Sequence, residues 1–431
     1  MSSIESNQAS EGAGGFLGRL VRVERHEVAA LFASFAMFFS LLSAYYIIRP
    51  VRDEMGVTVG KDAIHHLFTV VFFVMLAVVP LFGWIASRFA RRLVLPGIYV
   101  FFVVNIVLFW AMLKANGSSG LVAGAFFVWA SVFNLIVISL FWSLMSELWS
   151  NEEAKRLFGF ISAGGTSGAL AGPLLAGTLV NYVAPVDLLL LSALLLALAM
   201  ASSLILRRYR TGHASHASEP AGGGILDGAR KVFESPYLGR IAMFVFLANV
   251  VGTFFYVEQS RLVAQTFTDS ASRVSYFASR DFLVSFATLT IEIFGTAAVM
   301  RYLGVGAALL ALPICAMLGT LALWWSPMLF VVAAVMIAER VIAFSLSGPA
   351  IKIMYTLTSP DEKYKVQNFV DTVVYRGGDA VSGWLFAAIG GGLGFASAAT
   401  PLVALPLGFL WLWTARGLGT AHDVRVAENR A

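Results

Sequence analysis

Long apolar runs separated by short charged segments organise the whole chain. They fall at 27–49, 63–86, 93–113, 121–146, 157–181, 186–206, 238–261, 276–299, 303–324, 328–354, 366–389 and 398–415. Each approaches the ~20 residues with which an α-helix crosses a hydrocarbon core of ~30 Å. Barrel strands would instead alternate over ~10-residue segments, and that pattern is missing. The runs predict an all-α membrane protein with about twelve transmembrane helices.

The longest polar stretch, 207–236, follows the sixth run and includes the small, Gly-rich segment HASHASEPAGGG. It reads as a flexible linker. The expected organisation is a tail at 1–26, a six-helix bundle at 27–206, the linker at 207–236, a second six-helix bundle at 237–415 and a tail at 416–431. A weak internal echo supports two equivalent halves. Glu152, Glu153 and Lys155 precede Gly164, Gly165 and Gly168 in the fifth run, and Asp361, Glu362 and Lys363 precede Gly377, Gly378 and Gly383 in the eleventh. His213 and His216 in the linker read as solvated side chains, and no metal site is expected.

Composition agrees with the hydropathy pattern. Of 431 residues, 58% are hydrophobic and only 13% are charged, about half the charged share of a soluble domain. Mean hydropathy is +0.80. The net charge of +5 reads as an excess of Lys and Arg in cytoplasmic loops rather than as a nucleic-acid surface. Arg88, Arg91, Arg92, Lys155, Arg156, Arg207, Arg208, Arg210, Arg230 and Lys231 fall on one side, and Arg49, Arg52, Lys61, Lys114, Arg261 and Arg273 on the other. This bias predicts both termini in the cytoplasm and a multi-pass protein of the inner membrane. Residues 1–26 are polar, and the first run is too long for a signal h-region. The one cysteine, Cys315, excludes an internal disulfide and cysteine-based metal or redox chemistry.

Ionisable groups inside spans are costly and therefore informative. The first run ends in YYIIRPVRDEMG, which sets Arg49, Arg52 and Asp53 on one helical face. The seventh and eighth offer Glu258, Arg261, Arg280, Asp281 and Glu292. The tenth carries Glu339 and Arg340 near mid-depth, then Gly348-Pro349 and Lys352. The eleventh carries Asp371, Arg376 and Asp379, the last two spaced for a local ion pair. Arg49, Arg52, Asp53, Arg340, Lys352 and Arg376 are candidate solute contacts, and Glu292, Glu339 and Asp371 are candidate proton carriers. The alternatives are snorkelling to the interface and ion pairs that only latch the bundle. In the fifth run Gly159, Gly168, Gly172 and Pro173 form a small-residue face that serves either close packing or a moving helix contact.

Enzyme classes find no support. The segment Gly56 to Asp62 has three rather than four residues between its glycines and no Ser or Thr after Lys61, so it is not a phosphate loop. No nucleophile elbow or HExxH motif occurs. No cofactor is expected, and the only partners implied are a small-molecule solute and the lipid bilayer, with the chain acting as a monomer.

Three stretches resemble the ATP/ADP translocase family of bacteria and plastids, a branch of the major facilitator superfamily: YYIIRPVRDEMGV at 45–57, LFWSLMSELWSNEEAKRLFGF at 140–160 and SGPAIKIMYTLTSPDEKYKVQNFVDTVV at 347–374. The fifth-run glycines resemble the glycine-proline motif of major facilitator exchangers. The resemblance implies two six-helix halves that alternate access to a central site. Departures accompany it. The family's helix-one lysine corresponds to Arg52, its helix-four acid falls on Ala130, its helix-seven acid falls near Phe255, and its lysine after helix ten falls near Gln367. Arginine and lysine do not bind phosphate interchangeably.

The sequence thus leads to a secondary transporter that exchanges a nucleotide or another anionic metabolite. The alternatives are a proton-coupled exporter of an organic compound and a non-transporting lipid or envelope-accessory role.

Overall fold

A computed structural model describes residues 23–24, 26–60, 63–88, 91–116, 119–210, 225–388 and 404–428. The N-terminal residues through Arg22, together with Arg25, Lys61, Asp62, His213 and His216, lie outside the described residues, as do the first positions of the twelfth predicted span.

All regular structure among the described residues is helical. The first half contains α1 (Val28–Val59), α2 (Ile64–Arg88), α3 (Arg91–Asn116), α4 (Gly120–Leu148), α5 (Asn151–Leu179) and α6 (Leu188–Arg210). A short α7 (Ile225–Glu234) leads into α8 (Pro236–Thr266), α9 (Ser270–Phe294), α10 (Thr296–Tyr302) and α11 (Gly304–Trp325). Then come α12 (Leu329–Ile342) and α13 (Gly348–Thr356), α14 (Pro360–Phe369) and α15 (Tyr375–Ala387), and α16 (Ala404–Glu428). Among the described residues eight helices are long and apolar enough to cross a membrane, or nine with α9 and α10 taken as one span bent by 49°. The helices of the fifth, eleventh and twelfth predicted spans complete the two six-helix halves; the first two of these carry more polar side chains. A belt of exposed apolar side chains, including Phe73, Phe101, Leu194, Phe286 and Leu318, faces outward, as hydrocarbon contact requires.

Short turns make successive spans antiparallel. The face where α1 begins and α16 finishes is called here the near face, and the opposite one the far face. Buried apolar side chains form two main clusters, one drawn almost wholly from residues 30–206 and the other mainly from residues 232–418. The clusters interlock where Val274 and Ala278 of α9 join the first, and Ile64, Phe68, Val71 and Met75 of α2 join the second. The halves therefore meet along α5–α9 and α2–α15. Gly383 of α15 sits against His65 of α2, where an added Cβ would lie 3.1 Å from the His65 Cα.

Equivalent spans begin with the same device. Ser150 and Glu153 form a reciprocal capping box at the start of α5, and Ser359 and Glu362 form one at the start of α14. Each box satisfies two backbone N–H groups that the helix leaves unpaired. The acidic clusters noted in the fifth and eleventh runs are thus matched helix starts.

Several boundaries differ from the sequence expectation. The first span continues ten residues past position 49, through Pro50, because its polar residues find partners on α8 and α9. The last continues beyond position 415, where Arg240 donates to the Gly417 carbonyl at 3.2 Å and Arg425 lies 3.9 Å over the Tyr237 ring. The final part of the expected linker is helical as α7. There Gly228 lets the α7 backbone meet the Lys365 carbonyl of α14, a contact that any side chain would obstruct.

The tenth and eleventh spans each contain one wider π-turn, at Ala343–Ser347 and Val370–Val374. Such turns interrupt the hydrogen-bond ladder and recur at functional sites. Thr296 of α10 fills one freed acceptor by donating to the Ser345 carbonyl at 2.8 Å.

Candidate functional site

Polar side chains are concentrated where the halves meet, and they form three groups at different depths. The first lies toward the far face. Asp53 of α1 accepts from Arg52 at 2.7 Å and 3.1 Å, from Arg280 of α9 at 2.7 Å and from the Tyr256 hydroxyl of α8 at 3.2 Å. Arg280 also donates to its neighbour Asp281 at 2.7 Å and to Gln259 at 2.6 Å, and Gln259 donates to the Tyr276 hydroxyl at 2.9 Å. Arg49 completes the group, its Nε 3.3 Å from Asp281 Oδ2. Asp53, Arg280 and Asp281 are essentially excluded from solvent. Burial on this scale is costly unless the charges are paired, and each of these three is; Asp281 Oδ2, beside Arg49, is the one oxygen among them left without a hydrogen bond. The contacts Asp53–Arg280, Asp53–Tyr256 and Arg49–Asp281 all cross between the halves, so the group closes their contact at this depth. A weaker crossing pair, Glu54 with Arg273 at 3.8 Å, lies in the same region.

A second group occupies the middle of the bundle. Arg340 stands eleven residues into the tenth span, roughly 16 Å along the helix. Its Nε is buried without a hydrogen-bond partner, and among the described residues it forms no salt bridge. Arg49, Arg280, Asp281 and Glu339 are its charged neighbours within electrostatic reach. Glu339 is 8% exposed and unpaired among the described residues, with Gly252 of α8 beside its carboxylate. Arg376 pairs locally with Asp379 at 3.3 Å, and Thr253 donates to the other Asp379 oxygen at 2.7 Å.

The third group lies on the near-face side. Lys352 and Glu292 are exposed and within electrostatic reach of each other, and Asp371 faces Lys352 as well. Asp371 lines a cavity of about 470 Å³ together with Lys365, Gln367, Asn368 and Thr372 from the second half. Val78, Val79, Phe82, Leu135, Ile136 and Ser139 of the first half form its other wall.

The sequence-nominated residues therefore divide. Arg49, Arg52 and Asp53 belong to the inter-half network, Arg340 and Glu339 to the central group, and Lys352, Glu292 and Asp371 to the near-face group, of which Asp371 lines the cavity that forms a vestibule there. Arg376 is satisfied by its own helix. In α5, Gly168 and Gly172 pack on the α1 backbone; an added Cβ at Gly172 would lie 2.8 Å from the Ser43 carbonyl oxygen. Gly159 meets nothing within 4 Å. Sequence reasoning missed Thr253, Tyr256 and Gln259. Their spacing of three along an otherwise apolar run was the available signal, since it sets them on one face of α8.

Glu24, His26 and Glu27 bring three ligand-type atoms within 4.8 Å of one another. Glu27 is already engaged, however: Arg156 of α5 donates to both of its oxygens, at 2.5 Å and 3.1 Å.

A profile of the Major Facilitator Superfamily matches residues 28–383. No curated protein matches the chain. Among solved structures, a bacterial homologue of the human lysosomal transporter Spinster, inward-facing and unoccupied, is 15% identical with a TM-score of 0.53; the match covers 94% of this chain and 95% of that one. The nucleoside transporter NupG is 13% identical with a TM-score of 0.55, covering 93% and 100%. A POT family transporter in complex with 5-aminolevulinic acid is 11% identical with a TM-score of 0.60, covering 89% and 94%. At these identities the likeness is one of fold.

Proposed function

Because the chain belongs to the Major Facilitator Superfamily, a family of secondary membrane transporters, we propose that it exchanges an anionic metabolite, with nucleotides the first class to test. The observation that carries this reading is Arg340. Arg49, Arg52, Arg280 and Arg376 each contact a carboxylate, whereas Arg340 contacts none among the described residues and its Nε has no acceptor. A guanidinium with a buried donor left without an acceptor is costly, and an anionic group of the solute would supply that acceptor. Arg340 is the central contact in this reading, and Lys352 meets the anion on the near-face path.

Alternating access assigns the other charges. The Asp53–Arg280 and Arg49–Asp281 pairs hold the far face shut, and the vestibule on the near-face side is the open path. Opening the far face requires these pairs to separate, and solute binding at Arg340 draws on the same set of charges. Both termini face the cytoplasm of an inner-membrane protein, as the Lys and Arg bias indicates. The translocase-like stretches at 45–57, 140–160 and 347–374 favour nucleotides. Arg52, however, is engaged by Asp53, so it acts in the gate rather than as a phosphate contact.

The deciding experiment is uptake of labelled ATP and ADP by liposomes containing the purified protein, preloaded with nucleotide or empty, with Arg340→Ala as control. Uptake that needs internal nucleotide and disappears in Arg340→Ala is the expected result. No uptake under either condition overturns the nucleotide reading. A second reading, proton-coupled export of an organic compound, rests on Glu339, a buried and unpaired carboxyl group beside Arg340. It predicts solute movement driven by a pH step and lost in Glu339→Gln.

A further inference from the structure

A second cavity, of about 840 Å³, lies within the first half between α2, α3 and α4. Its lining consists of apolar side chains and glycines; the Nε1 of Trp129, the one side-chain hydrogen-bonding atom those residues carry, is itself buried and without a partner. Water has no reason to enter such a space, because a buried water needs two to four polar partners. The rim residues Val70, Leu81, Phe101 and Leu121 are exposed, so the cavity is a groove open to the bilayer rather than a sealed void. On α2 it runs from Leu67 to Phe82, a helical rise of about 22 Å. That exceeds the ~15 Å hydrocarbon depth of one leaflet.

Val78, Phe82 and Ile136 line both this groove and the vestibule between the halves. The two spaces therefore share a wall, and their chemistries are complementary in the manner of one molecule with two ends. The groove offers only hydrocarbon contacts. The vestibule offers an ammonium on Lys365, which also lies 3.8 Å from Asp227, amides on Gln367 and Asn368, and the carboxylate of Asp371. A cation and an anion beside amide donors match a zwitterionic head that carries both a phosphate and an amine.

We propose that the groove and vestibule together bind one membrane phospholipid with an amine-bearing head group. Its acyl chain lies in the groove between α2 and α4, and its head reaches the vestibule past Val78 and Ile136. The phosphate meets Lys365 and Asn368, and the amine meets Asp371. The lipid would thus sit against the path used for solute, and its site needs no solute to form.

The test uses the full chain in phosphatidylcholine liposomes doped with phosphatidylethanolamine carrying a diazirine near the chain end, photolysed and mapped by peptide mass spectrometry. Labelling of Val74, Val78 and Val132 is expected to exceed that of Leu190, Leu194 and Leu198 on the lipid-facing side of α6 by about tenfold, the ratio given by a binding advantage of about 1.4 kcal/mol. Val132→Trp, which fills the groove, should remove that excess while labelling of α6 stays unchanged, which also reports that the protein is folded. Asp371→Asn should abolish the preference for the ethanolamine probe over the same probe with a choline head. Equal labelling of the groove and α6 would reduce the lipid to ordinary annular contact and overturn the proposal. Groove labelling with no head-group preference in the unmodified protein would overturn the vestibule half of it. Nucleotide uptake plays no part in this readout, so either proposal can fail without the other.

Discussion

Arg280 of α9 donates to Asp53 of α1 at 2.7 Å, joining the two halves through side chains that are each 1% exposed. Removing one partner of a buried pair costs about 3–5 kcal/mol, because the other charge is left uncompensated. In a two-state carrier that cost falls on the state in which the far face is closed.

Asp53→Asn should therefore shift the protein toward a state open at the far face. Ser260 is buried and lines a far-face cavity of about 580 Å³, so Ser260→Cys in a Cys315→Ser background reports this opening. Labelling of that cysteine by an impermeant maleimide should rise by tenfold or more, about the factor for 1.4 kcal/mol. Arg280→Gln should have a smaller effect, since Arg52 and Tyr256 still hold Asp53. Unchanged labelling in Asp53→Asn would mean that the pair is not part of a gate.

Arg340→Ala should impair nucleotide uptake by about 10–100-fold, the range for losing a charge-assisted hydrogen bond worth 1.5–3 kcal/mol. Thermal stability should not fall, because Arg340 has no ion-pair partner to strand. Arg340→Lys should retain part of the transport, since the charge remains but the planar fork is lost. A large drop in melting temperature with unchanged transport would recast Arg340 as a structural residue.

Gly168→Val should destabilise the protein, because the new Cβ meets the Phe39 carbonyl oxygen of α1. Overpacking of this kind costs about 1–3 kcal/mol or more. Gly159→Ala, with open space around it, should be neutral or slightly stabilising, since alanine is the better helix former. Thermal unfolding in detergent separates the two, and equal melting temperatures would refute the packing assignment.

Outside the membrane, Glu27 and Arg156 set a pH dependence. Burial raises the Glu27 pKa, but hydrogen bonds from Arg156 and the Glu24 N–H, with the Arg156 charge, outweigh it and leave the carboxyl below its ordinary 4.5. A depressed carboxyl contributes stability above its unfolded value, and that contribution is lost as pH falls through the folded one. Stability of the unmodified protein should thus decline below about pH 4.5. Glu27→Gln should be about 1 kcal/mol less stable near neutral pH and show a shallower acid decline. Parallel pH profiles for the two proteins would remove Glu27 as the cause.

Much of the candidate site was legible in one dimension. Arg49, Arg52, Asp53, Glu339 and Arg340 stand out because charge inside an apolar run is rare and expensive. The Arg376–Asp379 pair follows from i,i+3 spacing alone. Tyr256, Gln259 and Tyr276 were hidden, because aromatic and amide residues in a membrane helix are unremarkable until something across the interface engages them. The groove was hidden for a related reason. Its lining residues look like any lipid-facing residues, and only the spacing of α2, α3 and α4 leaves a gap between them.

The sequence by itself determined the membrane class, the order of the spans and the depth of each embedded charge. Span length and helical rise are properties of a local stretch of chain, and hydrocarbon forces them into register with the bilayer. Only the tertiary structure decided which charges neutralise one another. Asp53 and Arg280 lie 227 positions apart, and no local rule links them. Their pairing depends on how the halves pack, and so does the absence of an ion pair at Arg340 among the described residues, because a carboxylate at bonding distance on any neighbouring span would have changed its role.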